Sequence, residues 1–136
     1  MEIDKEILIN KYPLFTIDEI ELILKQMRYS ICKIENEKGN GTGFFCQLSD
    51  LNKKLLITNN HVINEEIIKN NNIIKIKLNY NKIKKDIKIK DYYTSMKYDT
   101  TIIEIEIEIE DKNVHYLELD EDIFDENIIY IIKAYI

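Results

Sequence analysis

The sequence predicts a mostly β protein, a six-stranded antiparallel β-barrel with a short N-terminal helix. Three observations predict this fold class. Runs of β-branched and aromatic residues recur after Arg28, and polar breaks separate them. The 136 residues have the length of one ordinary domain. Hydrophobic residues make up 45% of the chain and charged residues 32%, a balance that suits a globular protein with a buried core.

Residues 1–27 are predicted to be a leader followed by the helix. Thr16 and Glu19 have the spacing of a capping box, in which each side chain satisfies a backbone N–H at a helix start. Apolar residues then follow at the spacing of one helix face: Ile17, Ile20, Ile23, Leu24 and Met27. We expect this helix to pack on the domain that follows it rather than to carry chemistry.

The barrel is predicted over residues 28–126, with strands near 29–35, 43–48, 54–58, 73–79, 83–90 and 101–109. Alternation is clearest over residues 103–110, where every second residue is Ile and the others are Glu. That period is typical of a strand with one buried and one solvent-facing side. A further apolar, strand-forming run lies near 128–135, within a final segment over 127–136.

The charges are segregated along the chain, whose net charge is −6. Residues 69–90 hold eight Lys and one acid, whereas residues 99–126 hold twelve acids and one Lys. Two interpretations are open: separate patches for separate partners, or neighbouring strands that face each other with opposite charges. We favour the second. The acidic balance and the single Arg also argue against a nucleic-acid partner.

Several other classes are disfavoured. No apolar run approaches the roughly 18 residues that a membrane span needs, so we expect no membrane partner. The N-terminus lacks the features of a secretory signal, which favours an intracellular location, although loss of an upstream segment would also remove a signal. No metal site is predicted, because the two Cys and two His lack ligand-pair spacing, and we expect no cofactor.

The two cysteines, Cys32 and Cys46, lie symmetrically about Gly39 and would be cross-strand neighbours in a regular hairpin. Without a secretory signal we expect reduced, buried thiols rather than a disulfide. The three glycines in residues 39–43 are read as a hairpin turn, because the segment lacks the Gly-Lys-Ser/Thr ending of a phosphate-binding loop.

Three short motifs follow one another in order: Gly-Thr-Gly-Phe-Phe (41–45), Leu-Ile-Thr-Asn-Asn-His-Val (56–62) and Asp-Thr-Thr-Ile-Ile (99–103). Together they resemble the N-terminal barrel of trypsin-like serine peptidases, which have the chymotrypsin fold. The resemblance covers roughly residues 29–136. It implies that His61 is the general base and that Asp99 is the acid that orients it.

The chemistry of the family explains why these residue types belong together. A serine hydroxyl is a poor nucleophile at neutral pH until an imidazole takes its proton. A carboxylate fixes the tautomer of that imidazole and stabilises the imidazolium that forms. The His and the Asp must therefore meet in space, although 38 residues separate His61 from Asp99 in the sequence.

The sequence departs from the family at the nucleophile. The Gly-x-Ser-Gly loop that supplies the serine and the oxyanion hole is absent. The sequence has three serines, Ser30, Ser49 and Ser95, and none of them lies in a Gly-rich turn. Ser95, close to Asp99, is a poor substitute because no cradle of backbone N–H groups accompanies it. His115 has no partner motif and is expected to be structural or at the surface.

Two functions therefore stay open. The first is a trypsin-like serine endopeptidase whose chain is incomplete, with residues 127–136 as the start of a second barrel. Its partners would be a protein or peptide substrate and a chain or segment that supplies the rest of that barrel. The second is a non-catalytic binding or regulatory module. In either case we expect no hydrolysis by this chain alone.

Overall fold

A computed structural model describes residues 14–48, 51–106 and 113–118. Within them the chain forms two helices and seven strands, and the order along the chain is α1, β1, β2, β3, α2, β4, β5, β6, β7. Their bounds are α1 Ile17–Tyr29, β1 Ile31–Asn36, β2 Gly39–Leu48, β3 Lys53–Thr58, α2 Glu65–Asn70, β4 Ile73–Leu78, β5 Ile83–Ser95, β6 Thr100–Ile105 and β7 Leu117–Glu118.

Six of the strands close into an antiparallel barrel. Hydrogen bonding runs in the order β1, β4, β5, β6, β3, β2, and the β1–β2 pairing completes the ring. The two-residue strand β7 adds to β2 in parallel. This mostly β architecture, a closed six-stranded antiparallel barrel with an N-terminal helix, confirms the predicted fold class. Among the described residues, no helix has the length and apolar character needed to cross a membrane.

Side chains of the barrel strands bury two separate apolar clusters. The interior cluster includes the fully covered residues Ile34, Phe45, Leu56 and Ile103. A second cluster contains Cys46, Leu48, Leu55 and Ile102. Successive residues of a strand point to opposite faces, so Phe45 and Cys46 of β2 belong to different clusters. Strands β2, β3 and β6 are therefore apolar on both faces.

The predicted strands agree with the observed ones apart from their ends and two small elements. Strand β2 begins at Gly39, four residues earlier than the pattern suggests, because its glycines pair but give no hydrophobic signal. Strand β5 extends to Ser95. The helix α2 and the strand β7 were not predicted, because both are too short to show a period. Residues 107–109 of one predicted strand and the segment 127–136 lie outside the described residues.

The Lys-rich and Glu-rich strands are neighbours, as we expected. Strands β5 and β6 pair antiparallel. Lys88 Nζ lies 3.2 Å from Glu106 Oε2, and Lys90 Nζ lies 3.3 Å from Glu104 Oε1. The prediction that the Glu side of this strand faces solvent is only partly correct, since Glu104 is 7% exposed. It lies on the outward side of β6 that the second apolar cluster also occupies.

The expected pairing of the two cysteines is wrong. Cys32 lies opposite Gly43, and Cys46 lies opposite Leu55 of β3. The hairpin turns at residues 37–38 instead of at Gly39, where the Asn36 side chain accepts a hydrogen bond from the Lys38 N–H at 2.9 Å. Cys32 and Cys46 are both buried free thiols, each in a different cluster.

The N-terminal helix begins as predicted, but its apolar face is not buried against the described part of the chain. Thr16 caps it by accepting a hydrogen bond from the Glu19 N–H at 3.2 Å. No residue of α1 is buried against the barrel. The apolar spacing was a correct signal for a helix, but spacing alone does not say what the apolar face contacts.

Candidate active site

A tight turn after β3 carries His61. Strand β3 ends at Thr58, and the backbone N–H groups of Val62 and Ile63 both donate to the Asn59 carbonyl at 3.1 Å. Val62 and Ile63 are buried in the interior cluster, whereas the His61 side chain is 71% exposed. Because its two successors are fixed in the core, the turn holds His61 at the rim of the barrel.

Side chains from two other strands fix the same turn. Asn36, at the end of β1, donates from Nδ2 to the Val62 carbonyl at 2.6 Å. Thr101 of β6 is fully buried and donates from Oγ1 to the Ile63 carbonyl at 2.6 Å. Buried carbonyls that lack a partner are costly, so these two bonds favour one position for the turn.

The glycines of the Gly-Thr-Gly motif allow β2 to pack closely on its neighbours. A Cβ at Gly41 would lie 2.3 Å from Val62 Cγ1, and a Cβ at Gly43 would lie 2.7 Å from Ile34 Cδ1. Real Cβ atoms do not approach other atoms so closely. Gly41 is therefore explained by the contact between β2 and the turn that carries His61, and Gly43 by the contact between β2 and Ile34 of β1.

Asp99 lies in the turn between β5 and β6. Its backbone has φ +46°, in the left-handed region that Asp and Asn tolerate better than most residues. The Asp99 N–H donates to the Met96 carbonyl at 3.3 Å, and its own carbonyl accepts from Asn59 Nδ2 at 3.1 Å. The two turns at this rim are thus tied together through Asn59.

The structure brings His61 and Asp99 into direct contact. His61 Nδ1 lies 2.6 Å from Asp99 Oδ2. The second carboxylate oxygen, Oδ1, accepts a hydrogen bond from the His61 backbone N–H at 2.9 Å. The predicted proximity of the two side chains is confirmed, and their catalytic roles stay a prediction.

The contact has a defined electrostatic consequence. The His61 backbone N–H and then its imidazole hold the pKa of Asp99 below its usual value, because both favour the ionised carboxylate. An ionised Asp99 accepts from a protonated Nδ1, which leaves the lone pair on Nε2 of a neutral imidazole. The arrangement can therefore present Nε2 as a base at the barrel rim.

No serine of the described segments bonds to His61. Ser30 is buried and donates to the His115 carbonyl at 2.7 Å, and Ser95 Oγ accepts from the Tyr98 N–H at 3.2 Å. Ser49 lies outside the described residues. Burial raises the pKa of both cysteine thiols to about 12, which makes them unreactive.

His115 lies beside the end of α1. Its backbone N–H donates to the Tyr29 carbonyl at 2.9 Å, at the end of α1. Burial first, and then the charge of Lys25, lowers the pKa of its imidazole. The neutral form is therefore favoured in the folded protein.

The sequence did not single out Asn36, Asn59 or Thr101 as parts of the site. Asn59 lies inside the motif of His61 and Thr101 lies inside the motif of Asp99, so their places in the sequence could have indicated that they belong to the site. For Asn36 the sequence indicated only a residue that precedes a turn. Its contact with Val62 depends on the closure of the barrel, which no local pattern shows.

The chain has structural neighbours among solved proteins. No protein-family model and no curated protein matches the chain. Among solved structures, the chain is similar to a human pathogenic astrovirus serine protease, with 21% identity and a TM-score of 0.41. The alignment covers 71% of this chain and 51% of the astrovirus chain. The chain thus spans about half the length of the structure that it matches.

Proposed function

We propose that this chain carries the general-base part of a serine endopeptidase of the chymotrypsin type. His61 is the base, Asp99 is the acid that orients it, and polypeptide outside these 136 residues supplies the nucleophile and the oxyanion hole. The single observation that carries the proposal is the two-point contact of Asp99 with His61, through Nδ1 and through the backbone N–H.

In this function His61 Nε2 takes the proton of the serine hydroxyl as the serine oxygen attacks the carbonyl carbon of the peptide bond. The imidazolium then gives that proton to the leaving amine, and the carbon–nitrogen bond breaks. Asp99 stays ionised, keeps the imidazole in the required tautomer and stabilises the imidazolium. Its contact with the His61 backbone N–H also fixes the carboxylate itself, so the carboxylate keeps its position when the imidazole moves.

The first test uses this chain as it is. Nitrogen-15 NMR at pH 8, where an ordinary imidazole is neutral, should find His61 protonated at Nδ1. Asp99→Ala should shift His61 to the Nε2-protonated tautomer, whereas Asp86→Ala, at an exposed position of β5, should leave it unchanged. An Nε2-protonated His61 in the unaltered chain would contradict the proposed orientation.

The second test concerns activity. The coding region beyond Ile136, or a co-expressed partner chain, should contain a Gly-x-Ser-Gly loop, and the complete protein should hydrolyse peptides. His61→Ala and Asp99→Ala should each reduce kcat by at least about 10⁴-fold, with the larger loss in His61→Ala. His115→Ala is the matched control and should retain activity.

The same experiment separates the two functions that the sequence left open. Hydrolysis that survives both His61→Ala and Asp99→Ala would remove these residues from the mechanism. If no chain with a nucleophile loop exists, the barrel is a binding or regulatory module. The chain alone should neither cleave peptides nor react with serine-directed phosphonates, and labelling of Ser95 would contradict this account.

A further inference from the structure

The N-terminal helix α1 exposes an unusual number of large apolar side chains. Ile17 is 76% exposed, Met27 is 50% exposed and Leu24 is 38% exposed. The other apolar residues in and beside the helix are also exposed: Leu14, Phe15, Ile20, Leu22 and Ile23. A helix of 13 residues is marginal in water without packing of an apolar face. The helix therefore needs a surface that the described part of the chain does not provide.

The C-terminal end of α1 is fixed to the barrel. The Arg28 carbonyl accepts a hydrogen bond from the Asn79 N–H at 2.8 Å, and the Tyr29 carbonyl accepts one from the His115 N–H at 2.9 Å. The described chain offers the first turns no comparable contact, because no residue of α1 is buried. The barrel thus presents the helix at a fixed point and leaves its apolar side accessible.

Four of the exposed apolar residues have the spacing of a coiled-coil seam. Ile17, Ile20, Leu24 and Met27 are separated by three, four and three residues, which are the a and d positions of successive heptads. A seam with this spacing meets another helix with the same spacing. It fits a helical partner better than a strand or a flat surface.

The charges of the helix select the partner and its direction. The first half carries Asp18, Glu19 and Glu21, and the second half carries Lys25 and Arg28. An identical helix in the antiparallel direction places the acidic half of each copy beside the basic half of the other. We propose that α1 is a dimerisation surface that binds α1 of a second copy of this chain in the antiparallel direction.

The register of the pair follows from the seam. Ile20 of each copy packs against Leu24 of the other, which also places Ile17 against Met27. Glu21 and Arg28 occupy the flanking positions of the seam, and they approach each other twice because the interface is two-fold symmetric. The same residues thus supply both sides of the interface.

A lipid surface fits the helix less well. Helices that lie on membranes carry Lys and Arg on the polar face, which attracts anionic lipids. Here the polar residues include three acids and two bases. We therefore assign the surface to a second copy of the chain, and binding to vesicles is one outcome of the test.

The first experiment measures self-association of the full chain by sedimentation velocity over a range of concentrations. The unaltered chain should form a dimer. Leu24→Glu should raise the dissociation constant by at least about a hundredfold, because each dimer loses two buried leucines. Leu22→Glu is the matched control: Leu22 is an exposed leucine of the same helix but lies off the seam, so the dimer should persist.

The second experiment tests the antiparallel direction by exchange of charges. Glu21→Arg and Arg28→Glu should each weaken the dimer several-fold, because each change places like charges side by side twice. A mixture of the two variants should regain the affinity of the unaltered chain, because both flanking contacts of the mixed dimer then join one basic and one acidic side chain. The His61 tautomer signal reports that each variant has folded.

Three results would overturn the proposal. The first is a monomer at every accessible concentration. The second is a dimer that Leu24→Glu leaves intact but that disappears when residues 127–136 are removed, which would place the interface elsewhere. The third is binding of the monomer to vesicles of phosphatidylcholine and phosphatidylserine, with a loss of that binding in Leu24→Glu and no self-association.

Discussion

His61 and Asp99 owe their positions to residues that take no part in the proposed chemistry. Val62 and Ile63 anchor the His61 turn in the core, and Asn59 joins that turn to the Asp99 turn. Asp99 also keeps a left-handed backbone, which its two bonds to His61 help to stabilise. The contact between His61 and Asp99 therefore depends on all of these residues at the barrel rim.

Gly41 offers a direct test of this dependence. Gly41→Ala should lower the free energy of unfolding by about 1–3 kcal/mol, because its Cβ would overlap Val62. The loss should be smaller in a Val62→Ala background, where the overlapping atoms are absent. Chemical denaturation of the four variants measures this coupling, and Thr42→Ala, at an exposed side chain, is the control. Equal losses in both backgrounds would contradict the packing explanation.

The two cysteines give a second prediction at the residue scale. Cys32 and Cys46 should react slowly with a thiol reagent in the native protein, because burial raises both pKa values to about 12. In denaturant both should react at once. A reducing agent should leave the melting temperature unchanged, and fast native labelling of either thiol would contradict the described burial.

At this scale the three motifs, through the family that they resemble, predicted that His61 and Asp99 lie close together, and the structure confirms that contact. The sequence did not predict Asn36 or Thr101, which reach the site by hydrogen bonds to backbone carbonyls. Such bonds depend on which strands become neighbours. The polar residues that form them look like any other strand or turn residue in one sequence.

At the scale of elements, alternation identified the strands well and their partners less well. The opposite charges of β5 and β6 predicted a correct pair. The symmetry of the cysteines about Gly39 predicted an incorrect register, because the Asn36 turn moves the hairpin centre toward the N-terminus. The helix α1 was predicted correctly, but its packing surface was not, since a period cannot identify what covers an apolar face.

The pair Lys90–Glu104 tests the contribution of the charged strands. Lys90 is 62% exposed, so a double-mutant cycle with Lys90→Met and Glu104→Gln should give a coupling of only about 0.2–1 kcal/mol. The coupling should decrease in 1 M NaCl because salt screens the exposed amine. The Lys88–Glu106 pair is the comparison, and a coupling well above this range would show that partial burial of Glu104 strengthens the pair.

At the scale of the whole molecule, the titrating groups define how stability depends on pH. The folded pKa of His115 lies below the ordinary value of 6.5. Its contribution to the stability of the folded state is therefore present above pH 6.5 and is lost as the pH falls through the folded pKa. The folded pKa values of Asp99 and Glu35 lie below their ordinary values of 3.8 and 4.5, because His61 bonds to the Asp99 carboxylate and Lys77 Nζ lies 2.6 Å from Glu35 Oε1. Their contributions are lost at still lower pH.

Stability should therefore decline in two steps on acidification, the first just below pH 6.5 and the second below about pH 4.5. Thermal unfolding from pH 8 to pH 3 measures both steps. His115→Gln should remove the first step and leave the second, whereas Asp99→Asn should reduce only the second. A first step that persists in His115→Gln would assign it to another group.

The closed ring of strands has a consequence for the kinetics of folding. The pairings that complete it join distant parts of the chain, such as Ile34 with Ile76 and Leu56 with Ile103. Such long loops slow the search for the native topology. His61 and Asp99 lie at the two ends of one of these loops. The Asp99-dependent tautomer of His61 should therefore appear only in the slowest refolding phase, in which the barrel forms. If stopped-flow or quenched-flow measurements find this tautomer of His61 before the ring of strands has closed, the rim assembles without the closed barrel.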